Sequence, residues 1–289
     1  MTEKPIHIGV IGGSGLYQMP GLEKVRELQL RTPFGDPSDA LIAGELDGVP
    51  VVFLPRHGRG HIHMPSRVPY RANIYALKSL GVQQIVSVSA CGSLKESLAP
   101  EHIVIPDQLF DFTKDRPRTF FGDGLVAHIS TADPFCLELS ASLADAVEQA
   151  GGTVHRGGTL ITIEGPRFST KGESRTFRAW GMDIIGMTAC PEAFLAREAG
   201  MCYATMAHVT DYDVWHTDEE TVTVEMVIQR LNANVETAQK AIRLLVGRLA
   251  IEKRTCTCCK ALETAIITAH DHIPQETREA LRVIVEPYL

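Results

Sequence analysis

The chain has 289 residues, 44% of them hydrophobic and 22% charged, with a formal net charge of −7. That length supports a sizeable core, and an acidic balance without a Lys/Arg block argues against nucleic acid or an anionic membrane as partner. The opening ten residues lack the apolar run of a signal peptide, and nothing downstream is long and apolar enough to span a membrane, so the cytoplasm is the expected compartment.

In chain order, residues 6–11 predict a strand that empties into Gly12-Gly13-Ser14-Gly15, a turn whose backbone amides and Ser14 hydroxyl suit an anion, or simply a strand-to-loop connection. Two apolar runs, 41–46 and 49–54, flank Asp47-Gly48 and read as a hairpin. The second leads into Pro55-Arg56-His57-Gly58-Arg59-Gly60-His61-Ile62-His63, a compact electropositive loop able to grip a phosphate. A metal held by His57, His61 and His63 is the rival reading there. A helix over 68–80 closes at Gly81, a buried strand over 84–89 ends in Ala90-Cys91-Gly92-Ser93, and a further strand spans 100–106. The polar stretch from Asp115 to Gly124 is long enough for a functional loop. Helices over 134–150, 170–180 and from Pro191 through Ala199 alternate with strands over 158–163 and 183–187. The run from Tyr203 stops at Thr210 and is followed by Asp211 and Asp213, which an extended segment would place on one face. The plainer reading of that pair is an acidic turn capping the next helix. A long helix continues from Arg230 to Arg248.

This alternation predicts an α/β fold with a largely parallel sheet, and polar residues gathered at strand ends along one sheet edge predict a pocket. The expected organisation is one domain over 1–250 with a helical extension over 251–289 packed on it.

Taken together, Gly-Gly-Ser-Gly-Leu at 12–16, Arg-His-Gly-Arg at 56–59, Ala-Cys-Gly-Ser at 90–93, Glu-Gly-Pro-Arg-Phe at 164–168, Met-Thr at 187–188 with Pro-Glu at 191–192, and Thr-Asp-Tyr-Asp at 210–213 resemble the trimeric purine nucleoside phosphorylase family. The similarity runs in unbroken order over about residues 6–250 and is strongest to the branch that cleaves methylthioadenosine. It implies a twisted mixed sheet flanked by helices, and a pentosyl transfer in which phosphate attacks the anomeric carbon to give adenine and 5-methylthioribose 1-phosphate. It also implies a trimer or a dimer of trimers. Carried over by position, phosphate would sit among Ser14, Arg56, His57, Ser89, Ala90 and Thr188. Phe168 would stack on the purine with Ser169 beside it, Met187 would lie against the ribose, and Val224, Val227 and Ile228 would line the methylthio pocket. His61 would lie near that group, and His128 would come from a neighbouring subunit. Ser14 and Ser89 stand where some members have Thr, and Gly186 stands where close relatives commonly have Asn.

Breaking an N-glycosidic bond leaves negative charge on the purine, so an acid at N7 and an anion at the sugar are needed. Phosphate is the anion and co-substrate, and Asp211 is the expected acid. An ordinary Asp titrates at about 3.9, so burial against Phe168 and the neighbouring Asp213 are expected to favour its protonated form. The same carboxyl suits a 6-amino group and mismatches a 6-oxopurine. No organic cofactor and no metal are expected.

Seven cysteines are too sparse for a disulfide framework, yet Cys256, Cys258 and Cys259 crowd together. Free thiols, a metal site with His270 or His272, and a disulfide within the cluster or to Cys190 or Cys202 all fit the sequence; some heat-stable members of the resembled family carry a comparable Cys-x-Cys here, which favours the disulfide. The competing functions are a methylthioinosine or general purine nucleoside phosphorylase and a non-catalytic nucleoside-binding protein.

Overall fold

Strand β1 (Ile8–Gly12) is an unbroken run of Ile, Val and Gly, and all five residues are buried, as a strand covered on both faces requires. The structure, a computed structural model, describes residues 5–216 and 223–289, without the side chains of Ser14, Tyr17, Asn232 and Ala233. Helix α1 (Ser14–Tyr17) follows β1, and then come β2 (Leu22–Leu28), β3 (Leu41–Leu46) and β4 (Val49–Pro55). Asp47 and Gly48 adopt φ of +50° and +77°, the pair of left-handed conformations that a two-residue hairpin between β3 and β4 demands.

Helix α2 (Tyr70–Ser79) ends where Gly81, at φ +90°, lets its own N–H reach Lys78 O and the Val82 N–H reach Leu77 O. The chain continues through β5 (Gln84–Ser93), β6 (Ile103–Ile105), β7 (Gln108–Phe112), α3 (Leu137–Gln149), β8 (Val154–Arg156) and β9 (Thr159–Ile163). Helix α4 (Lys171–Ala179) starts from a capping box in which Thr170 accepts from the Glu173 N–H and Glu173 accepts from the Thr170 N–H. After it come β10 (Ile184–Gly186), α5 (Ala189–Glu198), β11 (Cys202–Asp211), α6 (Val224–Ala233), α7 (Val235–Leu249), α8 (Gln275–Ala280) and α9 (Arg282–Val285).

The described strands form one mixed sheet ordered β2-β3-β4-β1-β5-β10-β9-β7, with β11 against β5 and β6, and β8 outside β6. Pairing is parallel for β1 with β4 and β5, β5 with β11, β9 with β10 and β7, and β6 with β8. Alternate residues divide between two cores. Leu41, Ala43, Val52 and Leu54 pack with α2, α5 and the C-terminal residues Leu262, Leu281 and Val285. Ile42, Val51, Phe53 and Val86 pack with α3 and α7. The C-terminal stretch therefore belongs to the same body, a single domain. No helix among the described residues is long and apolar enough to cross a membrane.

Three departures from the sequence reading have physical causes. Strand β5 runs on through Ala90 to Ser93, because β11 and β10 supply hydrogen-bond partners beyond Ser89. The long helix expected through Arg230 divides at Asn234, between α6 and α7. Strand β2 escaped notice because five of its seven residues are exposed, as on a charged edge strand.

Candidate active site

The site begins with a gap in the pairing of β5. Strand β11 occupies one edge of β5 from Gln84 to Gly92, whereas β1 occupies the other only through Ser87. Strand β10 takes over that second edge at Gly92 and Ser93 and runs antiparallel to β5. Val88 to Cys91, including Ser89 and Ala90, lie between. The carboxyl ends of β1 and β10 thus face each other across the gap, and a Cβ on Gly186 would lie 3.9 Å from Ala90 O. This corrects the expected single line of strand ends: β9 and β10 run opposite to β1 and β4, so two sets of ends meet head to head.

Arg56, the first residue beyond β4, fills the floor of that gap. Its N–H donates to Gly12 O at 3.1 Å, and its Nη1 donates to Val88 O at 3.0 Å. Nε and Nη2 form a two-pronged pair with Glu192 at 2.9 and 2.8 Å, and Nη2 also donates to Ser87 Oγ. Both side chains are buried, and Tyr203 OH donates to the same carboxylate at 2.8 Å. Burial works against the guanidinium charge, but Glu192 more than restores it and the pKa rises. Four of the five guanidinium N–H groups are thereby engaged, so Arg56 is mainly the scaffold of the gap with one donor to spare.

His57 stands next to it, with Nδ1 2.8 Å from His63 O. A carbonyl only accepts, so Nδ1 carries the proton and Nε2 is left as an acceptor. Burial and the adjacent Arg56 charge hold its pKa down at about 4, so the ring is neutral at pH 7. His61 stacks on it at 4.2 Å between centroids, and His63 Nε2 contacts Ser38 O at 3.2 Å. Among the described residues these three imidazoles do not form a metal-binding group, contrary to the rival reading of the loop.

Asp211 closes β11 opposite Gly92, just past a bulge in the pairing. Its Oδ2 accepts from Thr210 Oγ1 at 2.7 Å and its Oδ1 accepts from the Asp213 N–H at 2.8 Å. The two carboxylates are neighbours, but not through an extended i, i+2 spacing. Asp213 has φ +52°, so the chain turns around Asp211. A Cβ at Gly92 would fall 2.9 Å from Asp211 Oδ1 and 3.4 Å from Asp213 Cβ, which explains the missing side chain there. Burial raises the Asp213 pKa, the Ser174 and Ser169 hydroxyls pull it back, and the Asp211 charge adds to the rise. Asp213 Oδ2 and both serine hydroxyls nevertheless lack a well-formed hydrogen bond, so a cluster of buried polar atoms is left with capacity for a ligand.

Gly165 brings the loop after β9 over this corner: a Cβ there would strike Met187 Sδ at 2.7 Å and meet Pro65 at 3.5 Å. Phe168, in the same loop, is 36% exposed. Thr188 caps α5 without spending its hydroxyl on the helix. Helix α6 lies against the end of β11, where Arg230 Nη1 donates to Thr210 O at 2.7 Å. On it Val224 and Ile228, 61% and 52% exposed, share one face, and Val227 is half-buried. Ser14 opens α1 beside Gly12, but its side chain lies outside the described residues. His128 is brought elsewhere, to a separate cleft of about 470 Å³ lined by Arg118, Phe121, Phe194 and Glu198.

One organising residue escaped the sequence reading. Arg116, its side chain fully buried, donates to Ile163 O, Glu164 O, Met187 O and Cys190 O and pairs with Glu164 at 3.1 Å. It ties the ends of β9 and β10 together. Only the length of its loop hinted at it, since nothing local separates Arg116 from the more exposed Arg118.

A sequence profile of the phosphorylase superfamily matches residues 7–247. The chain belongs to that superfamily. An S-methyl-5'-thioadenosine phosphorylase of Chloroflexus aurantiacus is 57% identical over 282 residues, covering 97% of this chain and 98% of its own. The structure of a methylthioadenosine phosphorylase from an antarctic soil metagenomic library superposes with a TM-score of 0.94 at 50% identity, over 98% of this chain and 99% of that one. A Schistosoma mansoni adenosine/methylthioadenosine phosphorylase variant crystallised with methylthioadenosine gives 0.83 at 38% identity, over 92% and 99%. Within this superfamily member, the gap beside β5 and the Asp211–Asp213 corner are the two halves of one candidate centre.

Proposed function

We propose that the chain catalyses phosphorolysis of S-methyl-5'-thioadenosine, releasing adenine and 5-methylthioribose 1-phosphate. The observation that carries this reading is the near-full-length match to a methylthioadenosine phosphorylase at 57% identity together with an intact Asp211–Asp213 corner beside the β5 gap. Phosphate occupies the gap, where Ser14, Ser89 and Thr188 supply hydroxyls, the Ala90 backbone adds a polar contact and Arg56 adds charge. His57 presents its Nε2 lone pair, which suits a protonated phosphate oxygen or a sugar hydroxyl. Phe168 and Ser169 hold the purine, Met187 the ribose, and the exposed apolar face of α6, with His61, the methylthio group.

As the C–N bond lengthens, its electron pair moves onto the purine, the sugar gains oxocarbenium character and a phosphate oxygen closes on the anomeric carbon. A proton on the paired carboxylates reaches N7 through Asp211. Two adjacent carboxylates in a buried corner favour holding one proton between them, which keeps an acid available near neutral pH. Selectivity for a 6-aminopurine results, because a 6-oxo group presents an acceptor to a carboxylate. The placement of His128 away from Asp211 within its own chain supports a centre completed by a neighbouring copy, in a trimer or a dimer of trimers. The test is chromatographic: methylthioadenosine is incubated with enzyme, with and without inorganic phosphate. Adenine and a sugar phosphate in equal amounts, only with phosphate present, are expected; binding without turnover would leave a nucleoside-binding protein.

A further inference from the structure

At the opposite end of β11 from Asp211, roughly 30 Å along a ten-residue strand, four cysteines meet. Cys136 caps α3, Cys202 opens β11, and Cys256 and Cys258 come from the stretch after α7. Their four Sγ atoms lie within 4.8 Å of one another, and Cys202 and Cys256 approach to 3.3 Å. Cys136, Cys202 and Cys258 are buried and Cys256 is half-buried. His270 and His272, candidate partners from the sequence, are not in this group, and neither is Cys190.

We propose that these four thiols bind one zinc ion in a closed, structural tetrathiolate site. Zinc–sulfur bonds of about 2.3 Å set the edges of a tetrahedron near 3.8 Å, so one ion at the centre accounts for all the sulfur contacts together. A disulfide pairing would draw the sulfurs into two couples and leave the other contacts unexplained. The surrounding charge favours the metal as well. Arg197 Nη1 lies 3.1 Å from Cys258 Sγ and Arg254 Nη1 lies 3.8 Å from Cys202 Sγ. Four thiolates around a divalent ion carry a net charge of −2, which two guanidinium groups offset, whereas neutral disulfides have no use for them. Binding releases the thiol protons to solvent and changes no oxidation state. The ion would fasten the C-terminal stretch to the body where Gly200, at φ +68°, already brings the chain against the Cys259 backbone. This departs from the expectation that the chain holds no metal, and it does not depend on the proposed reaction.

The experiment uses the full chain, purified under reducing conditions without chelator or a nickel column, with metal measured by inductively coupled plasma mass spectrometry. About one zinc per chain is expected in the wild type and in Cys259→Ser, whose thiol lies outside the group, and loss of that zinc in Cys136→Ser and Cys256→Ser. Cobalt(II) added to the metal-stripped wild type should give the intense visible bands of tetrahedral thiolate coordination, a readout that needs no variant to fold. Reduced wild type without zinc and without those cobalt bands would overturn the proposal. So would two disulfides in the non-reduced intact mass, or zinc retained by both Cys→Ser variants.

Discussion

Asp211→Asn tests the proposed acid with little disturbance to its surroundings. The amide oxygen can take over the 2.8 Å bond from the Asp213 N–H. The amide nitrogen then faces Thr210 Oγ1, which has a second acceptor available, Cys91 O at 3.3 Å, and can turn its proton there. Both of these hydrogen bonds keep a partner, so their exchange should change folding stability by no more than about 1 kcal/mol. The base edge is where the exchange matters. Loss of a positioned acid costs about 100- to 10,000-fold, so kcat/KM for methylthioadenosine should fall about 1,000-fold, near 4 kcal/mol in the barrier. A 6-oxopurine nucleoside gains in return, because the amide donates to the oxygen that a carboxylate repels, and the preference should move toward methylthioinosine by orders of magnitude. Steady-state kinetics on both nucleosides, beside thermal unfolding of the same preparations, make the measurement. An equal fall on both purines with unfolding unchanged would refute the reasoning.

Glu192→Gln leaves Arg56 charged and buried without its counter-ion, so about 3–5 kcal/mol of stability should disappear in urea unfolding and KM for phosphate should rise; a loss below about 1 kcal/mol would mean that water already reaches the pair. Gly92→Ala drives a methyl to 2.9 Å from Asp211 Oδ1 and 3.0 Å from Ile185 Cγ2, and a carboxylate displaced by about 1 Å should lower kcat about 100-fold while circular dichroism stays native. Wild-type turnover in that variant would remove Asp211 from the chemistry. Glu198, held at its carboxylate by Thr119 Oγ1 and the Phe120 N–H, has its pKa raised by burial to about 7 from an ordinary 4.5. Between those values the folded chain keeps a proton that the unfolded chain releases, so this residue makes stability fall as pH rises from about 4.5 to 7. Glu198→Gln should therefore stabilise more at pH 8 than at pH 5, by up to about 3 kcal/mol in the difference; parallel thermal unfolding at the two pH values would show it, and an equal shift at both would contradict it.

What the sequence disclosed and what it concealed divide along one line, the range of the interactions involved. The hairpin at Asp47-Gly48 and the helix stop at Gly81 are decided within a few residues, and each was legible before any fold was known. The two aspartates were legible as a pair, but their geometry was not, because it rests on a turn at Asp213 that follows a bulge in the pairing with β5. Register also made the gap at Val88 to Cys91, where β1 stops and an antiparallel β10 begins; no local pattern specifies which strand inherits an edge. Arg56 shows the consequence for a single side chain. Its charge suggested a phosphate ligand, yet most of its donors serve Val88, Ser87 and a glutamate from the far side of the chain, so the residue first builds the cavity and only then has one N–H to offer an anion. The cysteines repeat the lesson, since Cys256 and Cys258 announced themselves by spacing, while Cys136 and Cys202 acquired a role only when α3 and β11 were laid side by side.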